Sequence, residues 1–209
     1  MIAEEILEYC ESHTTPETEL LHRLNRETHL TQVYPRMVSG HLQGTFLRMI
    51  SAMLNPERVL EIGTFTGYSA ICLGTWSREL HTIESNPELE PVIHRYIREA
   101  GLEEVIHLHI GDAMAIIPTL DKTWDLVYID ADKPNYLNYY RMVLPNVKQG
   151  GLILADNALW DGKVLDHGTR DKEARGIIEF NEFVQQDERV ENVLLPLRDG
   201  IMMIKKLGR

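Results

Sequence analysis

The chain has little cysteine, no long apolar run and no excess of positive charge. Two cysteines, Cys10 and Cys72, are too few for the disulfide framework of a small secreted protein. No apolar run approaches the roughly 20 residues of a membrane-spanning helix, and the acidic first residues lack the basic start of a secretory signal. The net charge of −11 disfavours broad binding to nucleic-acid phosphates. These absences favour a cytoplasmic protein without a membrane segment.

What is present is a pattern of alternating strands and helices. With 209 residues, 44% of them hydrophobic, the chain can bury a sizeable core. Apolar runs followed by turn residues predict seven strands, at residues 58–63, 80–84, 105–110, 124–130, 152–156, 190–197 and 201–206. The pattern predicts an α/β fold with a doubly wound, mostly parallel, seven-stranded sheet that ends in an antiparallel strand. We expect one domain over residues 1–209, with N-terminal helices in 1–55 and the α/β core in 56–209.

The N-terminal region is less informative. Apolar residues at helical spacing, among them Ile2 and Leu24, predict short helices before residue 30. Thr15 is the predicted cap of one of them, with Pro16 at its first position. Residues 37–44 are predicted to form a polar, glycine-bearing loop. These helices either only pack against the core or form a lid over a substrate, and the sequence leaves both interpretations open.

The first strand of the core leads through a glycine turn into a helix, a pattern typical of cofactor sites. Gly63 and Gly67 are separated by three residues, so the middle glycine of a dinucleotide-binding G-x-G-x-x-G motif is absent. Glu61 would repel a pyrophosphate but could accept a hydrogen bond from an ammonium group. The turn therefore favours S-adenosylmethionine over a dinucleotide, while a tight turn without a ligand is the alternative.

Acidic residues occur at five strand ends: Glu61, Glu84, Asp112, Asp130 and Asp156. The carboxyl ends of parallel strands share one edge, where open α/β sheets bind ligands. Glu84 is predicted to accept the ribose hydroxyls, and Asp112 and Ala113 lie within reach of an adenine ring. This arrangement suits an adenosine whose tail is an amino acid.

Asp130, Asp156 and Asn157 form a second predicted group at these strand ends. Carboxylate and amide oxygens are hard ligands that suit Mg²⁺, with Mn²⁺ or Ca²⁺ as alternatives. Lys133 follows Asp130 by three residues and is a candidate general base, because a nearby divalent cation disfavours its ammonium form. His107 and His109 are expected to be structural or solvent-facing.

These residues together resemble the cation-dependent O-methyltransferases, which include the catechol and caffeoyl-CoA enzymes. The motifs are Met37-Val38-Ser39, residues 61–69, residues 129–133 with Asn135-Tyr136, residues 155–157 with Leu159-Trp160, Leu195-Pro196 and residues 199–201. The resemblance implies a Rossmann-like methyltransferase fold and a homodimer. It also implies that S-adenosylmethionine is bound by Val38, Glu61, Gly63, Thr64, Ser69, Glu84, Ala113 and Asp132, with Asp112 and Asp130 beside them. Asp130, Asp156 and Asn157 would bind the metal, and Lys133 would be the base.

The resulting hypothesis is methyl transfer from S-adenosylmethionine to a hydroxyl of a small catechol-like acceptor. Asp161 departs from the asparagine of the plant acyl-CoA enzymes, which disfavours an acyl-CoA substrate. Two alternatives stay open: methylation of a hydroxylated uridine in transfer RNA, against which the acidic charge weighs, and a non-catalytic adenosine-binding module.

Overall fold

The computed structural model describes residues 4–208, so Ile2 of the predicted N-terminal pattern lies outside the described residues. The α-helices in this range are α1 Glu4–Ser12, α2 Glu19–Thr31, α3 Gly40–Leu54, α4 Tyr68–Gly74, α5 Glu90–Glu99, α6 Ala113–Ile116, α7 Tyr136–Val143 and α8 Lys172–Gln186. The strands are β1 Arg58–Ile62, β2 Glu79–Glu84, β3 Ile106–Ile110, β4 Trp124–Ile129, β5 Val147–Ala155, β6 Val190–Leu195 and β7 Ile201–Lys206. Short 3₁₀ turns lie at Pro35–Met37, Pro87–Leu89, Ile117–Thr119, Lys133–Asn135, Leu144–Asn146 and Trp160–Leu165.

The seven strands found among the described residues form one sheet with the order β3-β2-β1-β4-β5-β7-β6. β2 pairs with β3, and β4 with β5, in parallel. β7 runs antiparallel to both β5 and β6. The prediction of a mostly parallel, seven-stranded α/β sheet with an antiparallel last strand is confirmed. No helix in residues 4–208 combines the length and apolar character needed to cross a membrane.

Within the described residues the chain divides into two compact units, which we call the C-terminal and N-terminal units. The C-terminal unit comprises residues 60–63 and 113–208, and the N-terminal unit comprises residues 4–59 and 64–112. That residues 1–209 act as a single domain stays a prediction.

The largest fully buried side chains of the C-terminal unit are aromatic. Tyr136 and Tyr140 of α7 are fully buried and pack edge-on against Phe180 of α8. In the pairing of β4 with β5, Ile129 lies opposite Ala155. Because these are the last residues of their strands, the register brings the residues that follow, Asp130 and Asp156, to the same level of the sheet edge.

Aliphatic side chains fill the core of the N-terminal unit, including Leu24, Leu47, Leu73 and Leu80. The Ser51 hydroxyl of α3 donates to the Leu73 carbonyl of α4 at 2.7 Å. Helix α2 is joined to α5 by hydrogen bonds from Arg95 and Tyr96 to the Glu27 carboxylate. The carboxylate and burial raise the pKa of Tyr96 to about 12, burial being the larger cause.

Two predictions about the N-terminal region are wrong. Helix α2 begins at Glu19 and is capped by Thr18, whose Oγ1 accepts from the Leu21 amide at 3.3 Å, so Thr15 and Pro16 precede the helix. The predicted loop at 37–44 becomes helical from Gly40 onward. Gly44 permits close helix packing, because a Cβ there would lie 2.4 Å from the Tyr68 ring.

The predicted start of the fifth strand, after two glycines, is also wrong. β5 begins at Val147 instead of after Gly150 and Gly151, and both glycines lie inside the strand. Gly150 has a φ of 76°, and the register of β5 against β4 shifts between Trp124 and Leu126. These glycines therefore mark an irregularity within a strand, a common role for glycine in sheets.

Candidate active site

The turn after β1 is crowded by the chain's own backbone. Gly63 has a φ of 99°, and a Cβ at this position would lie 2.1 Å from the Asp130 carbonyl oxygen. The Asp130 amide in turn donates to the Ile62 carbonyl at 2.8 Å. Glu61, two residues earlier, is fully buried. Glycine is thus required at position 63 by the approach of β1 to the end of β4.

Lys133 lies at the centre of a buried polar cluster that follows β4. Its Nζ donates to Asp130 Oδ1 at 3.1 Å, to the Ala131 carbonyl at 2.9 Å and to the Tyr136 hydroxyl at 3.0 Å. The Lys133 residue is only 8% exposed. The candidate base of the sequence analysis is thus buried beside Asp130, and its role as a base stays a prediction.

The charges around Lys133 determine its ionisation. Burial acts to lower the pKa of Lys133, but the Tyr136 hydroxyl and the Asp130 carboxylate outweigh burial and raise the pKa above its ordinary range. Burial raises the pKa of Tyr136, although Lys133 opposes the shift. Without a bound cation, Lys133 is therefore an ammonium ion that neutralises Asp130.

Asp156 and Asn157 follow β5 and complete this cluster. Asp156 is 4% exposed, and its two carboxylate oxygens accept from the Asn157 amide at 2.7 Å and the Tyr128 hydroxyl at 3.1 Å. Asn157 has a φ of 55°, and its Nδ2 points to Asp199 Oδ2 at 3.5 Å. In this orientation the amide oxygen of Asn157 is the atom that could coordinate a metal ion.

The donor set fits a divalent cation of the hard class. Asp130, Asp156 and Asn157 offer only oxygens, and each carboxylate oxygen has two acceptor directions, so its hydrogen bond is compatible with coordination. Asp130 and Asp156 both act electrostatically on Lys133, Tyr128 and Tyr136, as expected for carboxylates near one another. The predicted metal ligands thus belong to one cluster in the C-terminal unit.

In the N-terminal unit, Glu84 is held by backbone amides. Its Oε2 accepts from the Phe65 amide at 2.7 Å and its Oε1 from the Asn86 amide at 2.8 Å. The hydroxyls of Thr64 and Thr82 are hydrogen bonded at 2.5 Å. Both oxygens of Glu84 are therefore fixed in direction at the end of β2, where the sequence predicted the ribose-binding acid.

The other predicted cofactor residues occupy the starts and ends of elements. Val38 and Ser69 are 5% exposed, Val38 directly after a 3₁₀ turn and Ser69 in the first turn of α4. Asp112 precedes α6, and Ala113 is its first residue. Asp132 is exposed, and its carboxylate accepts from Tyr139 and, at 2.6 Å, from Asn135 Nδ2. Asp132 therefore also anchors the start of α7.

The sequence reasoning assigned no chemical role to several residues of the cluster. Tyr136 hydrogen bonds to Lys133, and the Lys133 ammonium lies 5.6 Å from the centre of the Trp160 ring. The Trp160 Nε1 is buried and has no hydrogen-bond partner among residues 4–208. Asp199 orients Asn157, and burial raises the pKa of the Asp199 carboxyl. The i, i+3 spacing of Lys133 and Tyr136 was a usable signal, whereas Asp199 arrives from a distant hairpin turn.

Comparison with known proteins places the chain in a family. The family model described as O-methyltransferase matches residues 11–207. A caffeoyl-CoA O-methyltransferase of Populus trichocarpa is 31% identical over 188 residues, which cover 82% of this chain and 75% of the relative. A catechol O-methyltransferase of Niastella koreensis is 33% identical over 162 residues, or 74% of this chain and 73% of the relative. The chain belongs to the O-methyltransferase family.

The fold agrees with this membership. The Streptomyces achromogenes O-methyltransferase TomG, solved in complex with S-adenosylmethionine, superposes with a TM-score of 0.92 at 27% identity, covering 100% of both chains. The chain is an S-adenosylmethionine-dependent O-methyltransferase with a class I methyltransferase fold. The alternative of a non-catalytic adenosine-binding module is therefore wrong.

Proposed function

We propose that the enzyme methylates one hydroxyl of a small catechol-like acceptor and requires a divalent cation. The observation that carries the proposal is the buried cluster of Lys133, Asp130, Asp156 and Asn157 at adjacent strand ends. It joins hard oxygen donors to a lysine whose ammonium group lies 3.1 Å from one of them. A vicinal diol has two neighbouring oxygens that such a site could hold, which is why a catechol is favoured over an isolated hydroxyl. The relatives named for caffeoyl-CoA and catechol support this acceptor class.

The cofactor contacts that we propose are those predicted from the sequence. Glu84, whose oxygens are directed by the Phe65 and Asn86 amides, accepts the ribose hydroxyls. Asp112 and Ala113 lie beside the adenine, and Glu61 with Gly63 holds the amino-acid end. Val38, Thr64, Ser69, Asp130 and Asp132 are the remaining proposed contacts.

Asp130, Asp156 and Asn157 would hold the cation, with Mg²⁺ as the first choice and Mn²⁺ or Ca²⁺ as alternatives. When bound, such an ion supplies Lewis-acid polarisation that lowers the pKa of a hydroxyl and fixes its direction. Tyr128 and the Asn157 amide hold the Asp156 carboxylate, and Asp199 orients the Asn157 side chain. These contacts preorganise the donors before any ligand arrives.

Lys133 is proposed to take the proton of the acceptor hydroxyl. A free phenol has a pKa of about 10, so little of it is ionised at neutral pH. Lys133 can accept a proton only as the neutral amine, and the negative charge of Asp130 opposes that form. Compensation of this charge by a cation favours the neutral amine. Tyr136 and the Ala131 carbonyl keep the Nζ in place.

The decisive experiment measures methyl transfer from labelled S-adenosylmethionine to catechols, isolated phenols, acyl-CoA esters and bulk transfer RNA, with and without EDTA. We expect transfer to catechols that EDTA abolishes and Mg²⁺ restores. Asp156→Ala should lose this activity, whereas the matched control Glu104→Ala, an exposed acid outside the cluster, should retain it. Unchanged activity in EDTA would refute the cation requirement.

The same acceptor panel also distinguishes a catechol acceptor from the alternative acceptor, a hydroxylated uridine in transfer RNA. Methyl incorporation into transfer RNA with none into catechols would replace the acceptor while leaving the methyltransferase class intact. A homodimer and a cytoplasmic location stay predictions, which size-exclusion chromatography with light scattering and cell fractionation can test.

A further inference from the structure

The pairing of β2 with β3 brings histidine side chains to one face of the sheet, within the N-terminal unit. His81 lies directly opposite His107 in the parallel register. Residues two apart on a strand point to the same face, so Glu79 and His109 share this face. His81 is 6% exposed, whereas His107 is exposed. The sequence expectation that His107 faces solvent fits, but it missed the partners across the strand.

These side chains form a connected polar chain. His81 Nε2 lies 3.1 Å from Glu79 Oε1, and His81 Nδ1 lies 2.8 Å from His109 Nε2. Arg58 Nε donates to the other Glu79 oxygen at 3.0 Å. One ligand atom from each of Glu79, His81 and His107 lies within 4.8 Å of the other two. A carboxylate oxygen and two imidazole nitrogens thus lie close enough together to share one ion, and the His107 side of the group is exposed to solvent.

We propose that Glu79, His81 and His107 bind a divalent transition-metal ion, with Zn²⁺ as the preferred ion and water as its fourth ligand. Two imidazoles and one carboxylate are a donor set of tetrahedral zinc, whereas Mg²⁺ requires oxygen ligands. Tetrahedral bonds of zinc hold their ligand atoms about 3.4 Å apart. Glu79 Oε1 and His81 Nε2, which are 3.1 Å apart, already lie at about this separation. The ligand atom of His107 lies within 4.8 Å of both and must approach by at most about 1.4 Å. The exposed His107 side chain can supply that movement.

The surrounding groups already hold two of the ligands in position. Arg58 occupies one oxygen of Glu79 and leaves the oxygen nearer His81 for the ion. In the metal-free chain, His109 Nε2–H can donate to His81 Nδ1 while His81 Nε2–H donates to Glu79. Metal binding at His81 Nε2 requires the opposite tautomers, in which His81 Nδ1–H donates to His109 Nε2. Each imidazole keeps one proton in both states, so the exchange releases no proton.

The ionisation of the histidines supports the same site. Burial lowers the pKa of His81, although Glu79 opposes the shift, and burial with the neighbouring His107 lowers the pKa of His109. The lowered pKa favours the neutral ring of His81, which can bind a metal through Nε2, and the neutral ring of His109, which can accept the hydrogen bond from His81 Nδ1–H. β3 is the first strand in the sheet order, so an ion shared by β2 and β3 would fasten an edge strand to its neighbour.

The test is zinc binding by the full-length protein, measured by equilibrium dialysis and calorimetry in a large excess of Mg²⁺. We expect one Zn²⁺ per chain in the wild type. His107→Ala should weaken binding by at least about 10-fold, since it removes a ligand. The control His94→Ala removes an exposed histidine of α5 and should bind zinc as the wild type does. Circular dichroism checks that each variant is folded.

Two further variants separate this site from the proposed catalytic cluster. Glu79→Gln removes the anionic ligand and should weaken zinc binding, whereas Asp156→Ala should leave it unchanged. Zinc binding that disappears in Asp156→Ala but persists in His107→Ala would overturn the proposal. So would the absence of saturable zinc binding by the wild type. Because the readout is binding rather than turnover, the result is independent of the proposed methyl acceptor.

Discussion

Replacement of Gly63 by alanine tests whether the approach of β1 to β4 positions the proposed catalytic cluster. An added Cβ would lie 2.1 Å from the Asp130 carbonyl oxygen and 2.7 Å from its carbonyl carbon. Real Cβ contacts essentially never fall below 3.0 Å, and both atoms belong to the backbone. The chain around Asp130 must therefore move by roughly 1 Å, the scale on which misplaced catalytic groups can lose about 100-fold in rate.

The expected cost has two parts. The φ of 99° at Gly63 is strained for an L-residue, by about 1–2 kcal/mol. Overpacking against a rigid neighbour costs about 1–3 kcal/mol more. We therefore expect Gly63→Ala to lower the free energy of unfolding by about 2–5 kcal/mol and kcat by about 100-fold. Both effects arise at Asp130. Displacement of its carbonyl group lowers stability, and the accompanying shift of its side chain, which contacts Lys133, lowers kcat.

The matched control is Gly101→Ala. Gly101 has a φ of 68° with no atom within 4 Å of an added Cβ, so it isolates the backbone strain from the clash. Urea unfolding gives the two free energies, and methyl transfer at saturating S-adenosylmethionine gives the two rates. If Gly63→Ala were no less stable than Gly101→Ala and retained full kcat, the close approach would have no role in stability or catalysis.

Three other predictions concern single side chains. Lys133→Met should reduce turnover at least about 100-fold, the lower range of general-base contributions, while calorimetry finds S-adenosylmethionine affinity within a few-fold of wild type. Tyr136→Phe removes the hydroxyl that accepts from Lys133 and donates to the Ile129 carbonyl at 3.3 Å. Urea unfolding should show that the free energy of unfolding falls by about 1–2 kcal/mol. An unchanged free energy of unfolding would contradict a stabilising role for these two hydrogen bonds. Hydrogen bonds from Arg189 lower the pKa of Asp187 to about 2, below the unfolded value of about 3.9, so the unfolded chain binds more protons between these values. The resulting stabilisation is present above about pH 4 and is lost as the pH falls towards 2. Because solvent screens the exposed Arg189, we expect Asp187→Asn to lower the free energy of unfolding by about 1–2 kcal/mol at pH 7. The difference between variant and wild type should be smaller at about pH 3, and a difference that does not change with pH would contradict this role of Asp187.

The strand-end carboxylates could be predicted because a parallel sheet imposes their position. Once apolar runs locate β4 and β5, parallel pairing places the following residues, Asp130 and Asp156, at one edge, and the register of Ile129 with Ala155 agrees. No comparable rule links Asp199 to Asn157, which are 42 residues apart and meet through a hairpin turn. A candidate metal-ligand residue can thus be predicted from the local sequence, whereas the residue that orients it is known only from the tertiary structure.

The loop prediction at Gly44 was wrong and the partners of the histidines were missed, because the role of a glycine or a histidine depends on the residues that pack against it. Gly44 suggested a loop, yet it lies inside α3 where the Tyr68 ring leaves no room for a Cβ. His107 and His109 were correctly placed on a strand. Their relation to His81 requires the pairing of β2 with β3, which a single sequence does not specify.

The two proposed metal sites differ in donor chemistry, and this difference makes their effects separable. Asp130, Asp156 and Asn157 offer only oxygen ligands, which suit Mg²⁺, whereas the β2–β3 site offers two imidazole nitrogens, which suit Zn²⁺, so donor type and metal availability decide which ion each site binds. EDTA would empty both sites, but Mg²⁺ added afterwards can refill only the all-oxygen cluster of Asp130, Asp156 and Asn157. Activity restored by Mg²⁺ alone would therefore assign catalysis to that cluster. Any gain in stability that requires zinc, and disappears in His107→Ala, would then belong to the β2–β3 site.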